Sequence, residues 1–242
     1  MITKSVVKDI QSLAGKKYRD QAGLFLAEGP KLVEELLRDC SHSIKAIYAL
    51  ESWIQQNKII NSSLQVTLVT PAELERLSQL TTPHEVLAVV SKFPISPLQI
   101  GKGLTLVCCG IQDPGNFGTI LRTADWFGVR QLVCSPDTVD VYNPKVVQAT
   151  MGSIARLAVH YMDLDPWLNE QEVPIYAAIL NGQSVYEINR SQSGILLIGN
   201  EAKGVPASLL TKKVTGITIP KIGEAESLNA AVATGILLSW LS

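Results

Sequence analysis

The chain is poor in the residues that mark several common protein classes. Of its 242 residues only four are cysteine and three are histidine, and no two cysteines form a CxxC pair. A zinc site is therefore not expected, and no other metal site is predicted. Cys108 and Cys109 lie in a predicted strand and are interpreted as small core residues in a reducing compartment. The formal net charge of −1 excludes a globally basic surface, which is typical of many nucleic-acid-binding proteins.

Long apolar runs and phosphate-binding glycine motifs are also missing. The longest apolar stretch, residues 230–238, is too short to span a bilayer, and the N-terminus lacks the apolar run of a signal peptide. We therefore expect a cytoplasmic protein without membrane contact. Neither GxGxxG nor GxxxxGK[ST] occurs, so the NAD-dependent dinucleotide-binding enzymes and the P-loop ATPases are disfavoured.

A core of ample size is present, because 46% of the residues are hydrophobic. Basic residues outnumber acidic ones locally in the first segment, and two interpretations stay open there: a solvated helix face or an RNA-contacting patch. These basic residues are Lys4, Lys8, Lys16, Lys17, Arg19 and Lys31.

Two α/β segments flank a linker rich in proline and glycine. We predict a first domain at residues 1–95, a linker at 96–103 and a second domain at 104–242. In the first domain the patterns predict a helix over 5–18 and a helix starting at Thr70. In the second domain, apolar runs without alternation, such as residues 195–198, predict parallel strands covered on both faces. Helices are predicted between these strands, including 206–212 and 228–240.

The first polar loop follows the strand predicted over 104–111 and opens a helix. It carries Asn116 and Arg122, whose side chains suit phosphate and ribose oxygens. Taken singly, Asn116 is also compatible with a turn residue, and Arg122 with a surface salt bridge to Asp125. Carboxyl ends of parallel strands meet at one edge of a sheet, so this loop is expected near the other strand ends.

Two further strand ends carry polar residues. Glu201 follows the strand ending at Gly199, while Ser227 and Asn229 follow the strand ending at Ile219 and Pro220. Glu201 alone is compatible with a loop charge near a helix start, and Ser227 or Asn229 with an N-cap of the last helix. Their joint occurrence with Asn116 and Arg122 favours a shared site.

These segments together resemble the three motifs of the SpoU (TrmH) family of RNA ribose 2′-O-methyltransferases. The motifs stand here at residues 116–128, 197–204 and 219–233, so the resemblance covers about residues 103–242. The first half resembles an L30e-like RNA substrate-binding domain through residues 18–20 and 25–31. The implied fold is α/β, with a small L30e-like domain before a parallel-sheet SPOUT domain whose C-terminal segment forms a trefoil knot.

The resemblance also implies a cofactor, S-adenosyl-L-methionine, and a homodimer with the active site near the subunit interface. Gly199, Ile219 and Leu228 are the expected cofactor-binding residues.

The implied reaction is methyl transfer to a ribose 2′-hydroxyl, with rRNA favoured over tRNA because the N-terminal domain suits a structured target. Arg122 is the expected catalytic residue, as an organiser of charge because guanidinium groups stay protonated in proteins. Asn116, Glu201, Ser227 and Asn229 are expected to complete the catalytic network. The alternatives are a tRNA 2′-O-methyltransferase and a non-catalytic RNA-binding ribosome-assembly protein.

Overall fold

A computed structural model describes residues 2–57, 64–190 and 193–242. The helices are α1 (Lys4–Ser12), α2 (Lys16–Ala22), α3 (Pro30–Cys40), α4 (Glu51–Gln56), α5 (Pro71–Leu77), α6 (Pro114–Trp126), α7 (Pro144–Thr150), α8 (Leu164–Asn169) and α9 (Ala230–Leu241). The strands are β1 (Leu24–Glu28), β2 (Ile44–Ala49), β3 (Val66–Leu68), β4 (Val86–Ser91), β5 (Leu104–Cys109), β6 (Gln131–Cys134), β7 (Ala158–Tyr161), β8 (Ile175–Ser184), β9 (Gly194–Gly199) and β10 (Val214–Thr218).

The chain folds into two compact units. The first unit contains residues 1–94 and 140–155, and the second contains residues 95–139 and 156–242. The first unit therefore includes a segment, with α7, that lies inside the predicted second domain in sequence. The assignment of separate functions to residues 1–95 and 104–242 stays a prediction.

The first unit is built on a four-stranded mixed sheet in the order β1-β4-β2-β3. Strand β4 pairs antiparallel with both β1 and β2, and β2 pairs parallel with β3. Apolar residues of α1 and α5, among them Ile10, Leu74 and Leu77, pack against Leu26 and Leu87 of the sheet. The predicted start of α5 is confirmed, because Thr70 forms a capping box with Glu73.

The prediction of one helix over residues 5–18 is wrong, because the chain breaks between α1 and α2. Arg19 explains the break: its buried guanidinium binds the carbonyl oxygens of Leu13 and Ala14, at 2.9 and 2.6 Å. It also forms a 2.6 Å ion pair with Asp140, which α7's segment supplies to the same unit. Arg19 thus belongs neither to a solvated helix face nor to an RNA-contacting patch.

The second unit is built on a six-stranded sheet in the order β10-β8-β9-β5-β6-β7. All five strand pairs are parallel, as the uninterrupted apolar runs predicted. Every residue of β5 and β6 is buried, and Leu164 and Leu168 of α8 pack against Val107, Val133 and Leu197 of the sheet. The carboxyl ends of these strands therefore share one edge.

The four cysteines are free and buried, as predicted for Cys108 and Cys109. Burial raises the pKa of the Cys109 thiol, so this group stays protonated and unreactive at neutral pH. The helix predicted over 206–212 is wrong: only a short 3₁₀ turn forms at Ala207–Leu209, directly after Pro206.

Candidate active site

The ends of β9 and β10 and the start of α9 surround a cavity of about 680 Å³. The three residues predicted to bind a cofactor, Gly199, Ile219 and Leu228, all line it. Glu201 and Ser227 line it as well. Strand ends that are far apart in sequence thus contribute to one concave site, which is the usual position of ligands in open α/β sheets.

Gly199 is required by the tight return of the loop that follows β9. A Cβ atom on Gly199 would lie 2.1 Å from the carbonyl carbon of Gly204 and 2.2 Å from the backbone nitrogen of Val205. The loop closes through a 2.8 Å hydrogen bond in which the Gly204 N–H donates to the Asn200 carbonyl oxygen. Only a residue without a side chain allows this approach of backbone to backbone.

Asn200 is the residue that the sequence reasoning missed. Its side-chain oxygen accepts hydrogen bonds from the backbone N–H groups of residues 202 and 203, at 2.9 and 3.2 Å. Its side-chain nitrogen donates to the carbonyl oxygen of Gly110, after β5, at 2.9 Å. Asn200 therefore fixes the loop at residues 200–204, the cofactor loop below, against the neighbouring strand end. The signal was an Asn directly after a buried strand.

Three of the predicted site residues form one hydrogen-bonded chain. The Asn229 side-chain nitrogen donates to the Asn116 side-chain oxygen at 2.8 Å, and the Asn116 side-chain nitrogen donates to Glu201 Oε1 at 2.5 Å. These hydrogen bonds join the start of α6, the cofactor loop and the start of α9. The three loops selected from the sequence therefore meet in space.

The direction of this chain is set by the backbone of α9. The Asn229 side-chain oxygen accepts from the N–H groups of residues 231 and 232, so Asn229 is the N-cap of α9. Its amide nitrogen must then point to Asn116, and the Asn116 amide nitrogen must point to Glu201. The chain ends on a carboxylate, whose remaining oxygen can accept a proton donor of a ligand.

Arg122 lies on the exposed face of α6, six residues or about 9 Å of helix axis beyond Asn116. The alternative interpretation, a salt bridge to Asp125, is wrong. The Asp125 carboxylate instead accepts from Arg156 at 2.8 Å and from Arg130 at 3.4 Å. Within the described ranges Arg122 has no hydrogen bond or ion pair, so its guanidinium can bind an external anion.

Ser227 is exposed and makes no hydrogen bond to any described residue. It lines the cavity but is neither the N-cap of α9 nor a member of the hydrogen-bonded chain. The structure thus joins Asn116, Glu201 and Asn229 directly, and leaves Ser227 and Arg122 without a bond to them. The catalytic and cofactor-binding roles of these residues stay predictions.

Two family models match the chain. Residues 103–239 match the model described as the SpoU rRNA Methylase family. The chain belongs to the SpoU rRNA methylase family. Residues 4–88 match a second model, the MRM3-like substrate binding domain. The resemblance read from the three motifs and from the N-terminal segment is confirmed.

This protein is similar to named relatives over most of its length. It is 34% identical over 239 residues to the 23S rRNA (guanosine(2553)-2′-O)-methyltransferase of Bacillus subtilis, which covers 97% of this chain and 95% of the relative. A solved TrmH-family structure from Porphyromonas gingivalis is 36% identical, with a TM-score of 0.86 over 100% of this chain and 98% of that one. An AdoMet-bound rRNA methyltransferase from Sinorhizobium meliloti is 31% identical, with a TM-score of 0.84 over 100% and 95%.

The described residues contain neither a membrane-spanning helix nor a metal-binding group. None of the helices within the described ranges is long and apolar enough to cross a bilayer. The same residues include no group of three or more His, Cys, Asp and Glu that could hold a metal ion.

Proposed function

We propose that this chain transfers a methyl group from S-adenosyl-L-methionine to a ribose 2′-hydroxyl in rRNA. The observation that carries the proposal is the chain of hydrogen bonds from Asn229 through Asn116 to Glu201, at the rim of a ligand-sized cavity. A guanidinium without a partner in the described structure, that of Arg122, lies on the same helix as Asn116. Family membership and the printed activities of the relatives support the same reaction.

The cavity fits the proposed cofactor in size and in chemistry. Its walls are largely apolar, with Ile198, Ile217 and Leu237 among them, and suit a planar base. The carboxylates of Glu201 and Glu226 also line it, together with Lys203 and Lys221, and these groups suit the cofactor's positive charges and its carboxylate. Gly199, Ile219 and Leu228 would hold the cofactor. When bound, the cofactor supplies an activated methyl group on its sulfonium sulfur.

The chain's own residues then orient the acceptor. We infer that Arg122 binds the phosphate of the target nucleotide, since a guanidinium presents several donors in a fixed plane. Asn116, which is itself bound by Asn229, holds the Glu201 carboxylate in one position. The remaining carboxylate oxygen can then accept a hydrogen bond from the 2′-hydroxyl. Alignment of two reactants in this way lowers the barrier without a metal ion. Ser227 would complete the site from the cavity rim.

The first unit would present the RNA. It carries the match to a substrate-binding domain, and the Bacillus subtilis relative is named as acting on 23S rRNA, which favours rRNA over tRNA. We also propose that this domain has an L30e-like fold and that the C-terminal segment forms a trefoil knot. A cytoplasmic location and a homodimer are proposed as well. Trp126, at the end of α6, is 85% exposed and supports the proposed homodimer, because aromatic residues are enriched at protein–protein interfaces.

The decisive experiment is Arg122→Ala assayed on rRNA from cells that lack this gene. We expect methyl transfer to fall by about 10²-fold or more, as for other preorganised cationic groups, while calorimetry gives a wild-type Kd for S-adenosyl-L-methionine. Arg130→Ala is the matched control, because Arg130 is also exposed near α6 but pairs with Asp125. Unimpaired transfer by Arg122→Ala would remove Arg122 from the mechanism. Failure of the wild-type protein to bind the cofactor would favour the non-catalytic RNA-binding alternative.

A further inference from the structure

A second, smaller cavity opens at the topological switch point of the six-stranded sheet. From β5 the chain continues through α6 to β6 on one side, whereas from β9 it continues to β10 on the other side. The crevice between the carboxyl ends of β5 and β9 is where open α/β sheets bind ligands. A cavity of about 200 Å³ lies there, and it is distinct from the cavity proposed to bind the cofactor.

The lining of this switch-point cavity combines apolar residues, among them Leu164 and Leu209, with polar groups of which most charged ones are acidic. Gly110 and Gln112 follow β5, Ser135 and Asp137 follow β6, and Asp163 follows β7. Asp165, Lys203 and Ser208 also line it. Three carboxylates against one ammonium group disfavour an anionic ligand such as a phosphate. They favour a neutral ligand that offers N–H donors.

Asp137 is an exposed residue on the wall of this cavity, and a hydrogen bond orients its carboxylate. Ser135 Oγ donates to Asp137 Oδ1 at 2.5 Å, and Ser135 Oγ itself accepts the N–H of Gly110 at 2.8 Å. Gly110 has a φ of +66°, and a Cβ there would lie 2.9 Å from Asp137 Oδ2. A side chain at residue 110 would therefore displace the Asp137 carboxylate from this position. The hydrogen bond from Ser135 presents the carboxylate as an acceptor on the cavity wall.

The carboxylates come from different segments, because Asp137 follows β6, whereas Asp163 and Asp165 follow β7. Among the described residues no three of them form a metal-binding group, so a cation is not the expected occupant. A small ligand with N–H donors on one edge fits better. Guanine is the RNA base whose Watson–Crick edge places two N–H donors side by side, from N1 and the 2-amino group. Adenine and cytosine place an acceptor nitrogen beside their amino group, and uracil has a single N–H.

The two cavities share one wall. Asn200, Lys203 and Gly204 of the cofactor loop line both of them. Glu201, the end of the hydrogen-bonded chain, lies on the same loop. A base on one side of the loop and a methyl donor on the other would place a nucleotide's ribose beside the loop.

We propose that the switch-point cavity binds the base of the target nucleotide and that Asp137 selects guanine there. This inference rests on the proposed function and deepens it, because it names the nucleotide on which the enzyme acts. Bases that an enzyme takes out of a helix are read in this way, through hydrogen bonds to their Watson–Crick edge.

The test begins with mapping of the 2′-O-methyl mark that wild-type protein adds to rRNA from cells lacking the gene. We expect the marked nucleotide to be a guanosine. A synthetic RNA carrying that site is then compared with the same RNA in which inosine, which lacks the 2-amino group, replaces the guanosine. We expect kcat/KM to fall roughly 10- to 100-fold on inosine for the wild-type protein.

In Asp137→Asn, kcat/KM on the guanosine RNA should fall by a similar factor. Inosine should cause little further loss, because the hydrogen bond between the Asp137 carboxylate and the 2-amino group is already absent. Its Kd for S-adenosyl-L-methionine and its thermal midpoint should match the wild type, which excludes misfolding. Glu172→Gln is the control, since Glu172 is an exposed carboxylate that does not line either cavity.

A mark on any other base, or an undiminished preference for guanosine over inosine in Asp137→Asn, overturns this inference and leaves the proposed methyltransferase intact. Absence of methyl transfer by the wild-type protein to any rRNA overturns both.

Discussion

Replacement of Gly199 by alanine is the substitution whose effect can be worked out most directly from the structure. The added Cβ would lie 2.1, 2.2 and 2.4 Å from the Gly204 carbonyl carbon, the Val205 nitrogen and the Gly204 carbonyl oxygen. All three are backbone atoms, so no side chain can rotate away and the cofactor loop itself must move. Overpacking of this kind costs about 1–3 kcal/mol.

If the strain is released by displacement of the loop, the cost appears in cofactor binding. Since every 1.4 kcal/mol is tenfold, we expect the Kd for S-adenosyl-L-methionine to rise roughly 5- to 150-fold in Gly199→Ala. Isothermal titration calorimetry measures this directly, and a thermal melt detects any strain that remains in the fold. Transfer should fall at subsaturating cofactor by the same factor as binding.

Gly223→Ala is the matched control. Gly223 lines the same cavity, but a Cβ there would meet no atom within 4 Å. We expect its Kd and its melting temperature to stay near those of the wild type. If Gly199→Ala also binds the cofactor with the wild-type Kd and melts normally, then the tight return of the loop does not support the site and the reasoning is refuted.

Three further predictions concern other contacts. Asn229→Ala should lose methyl transfer and some cofactor affinity, because Asn116 loses its donor and α9 its N-cap; unchanged kinetics would contradict this. Arg19→Ala should lower the free energy of unfolding by about 3–5 kcal/mol in urea titrations, since it leaves Asp140 without its partner, whereas exposed Lys17→Ala should change little. Burial lowers the pKa of His160, so the folded state favours the neutral imidazole and stability should fall as pH drops below about 6.5; His160→Gln should reduce that dependence in thermal melts.

The parallel sheet and the meeting of three loops could be predicted because both follow from local patterns. Uninterrupted apolar runs indicate strands buried on both faces, and residues 195–198 are indeed buried within β9. Asn116 and Glu201 follow the buried strands β5 and β9, Asn229 follows the edge strand β10, and the carboxyl ends of parallel strands share an edge. The hydrogen bonds among these three residues confirm that their loops meet.

Other features depend on contacts between distant residues, which local patterns do not contain. The break between α1 and α2 arises from Arg19, whose ion-pair partner Asp140 is 121 residues away. The role of Asn200 depends on the carbonyl group of Gly110, 90 residues away. The short 3₁₀ turn at Ala207–Leu209 replaces a predicted helix of seven residues, a length at which propensity alone decides little.

The switch-point cavity escaped the sequence reasoning for the same cause. Asp137 and Asp163 stand after different strands and belong to no recognisable motif. Only the strand order β9-β5-β6-β7 brings their loops together around one space.

The division of the chain has a practical consequence for dissecting the protein. Because residues 140–155 fold with residues 1–94, the polypeptide passes from one unit to the other after residues 94, 139 and 155. A fragment ending at Pro94 would retain the Arg19 guanidinium without its carboxylate, and Phe25 without the Tyr142 ring that packs on it at 4.9 Å. Expression trials of the first unit alone should therefore join residues 140–155 to residues 1–94 through an artificial linker.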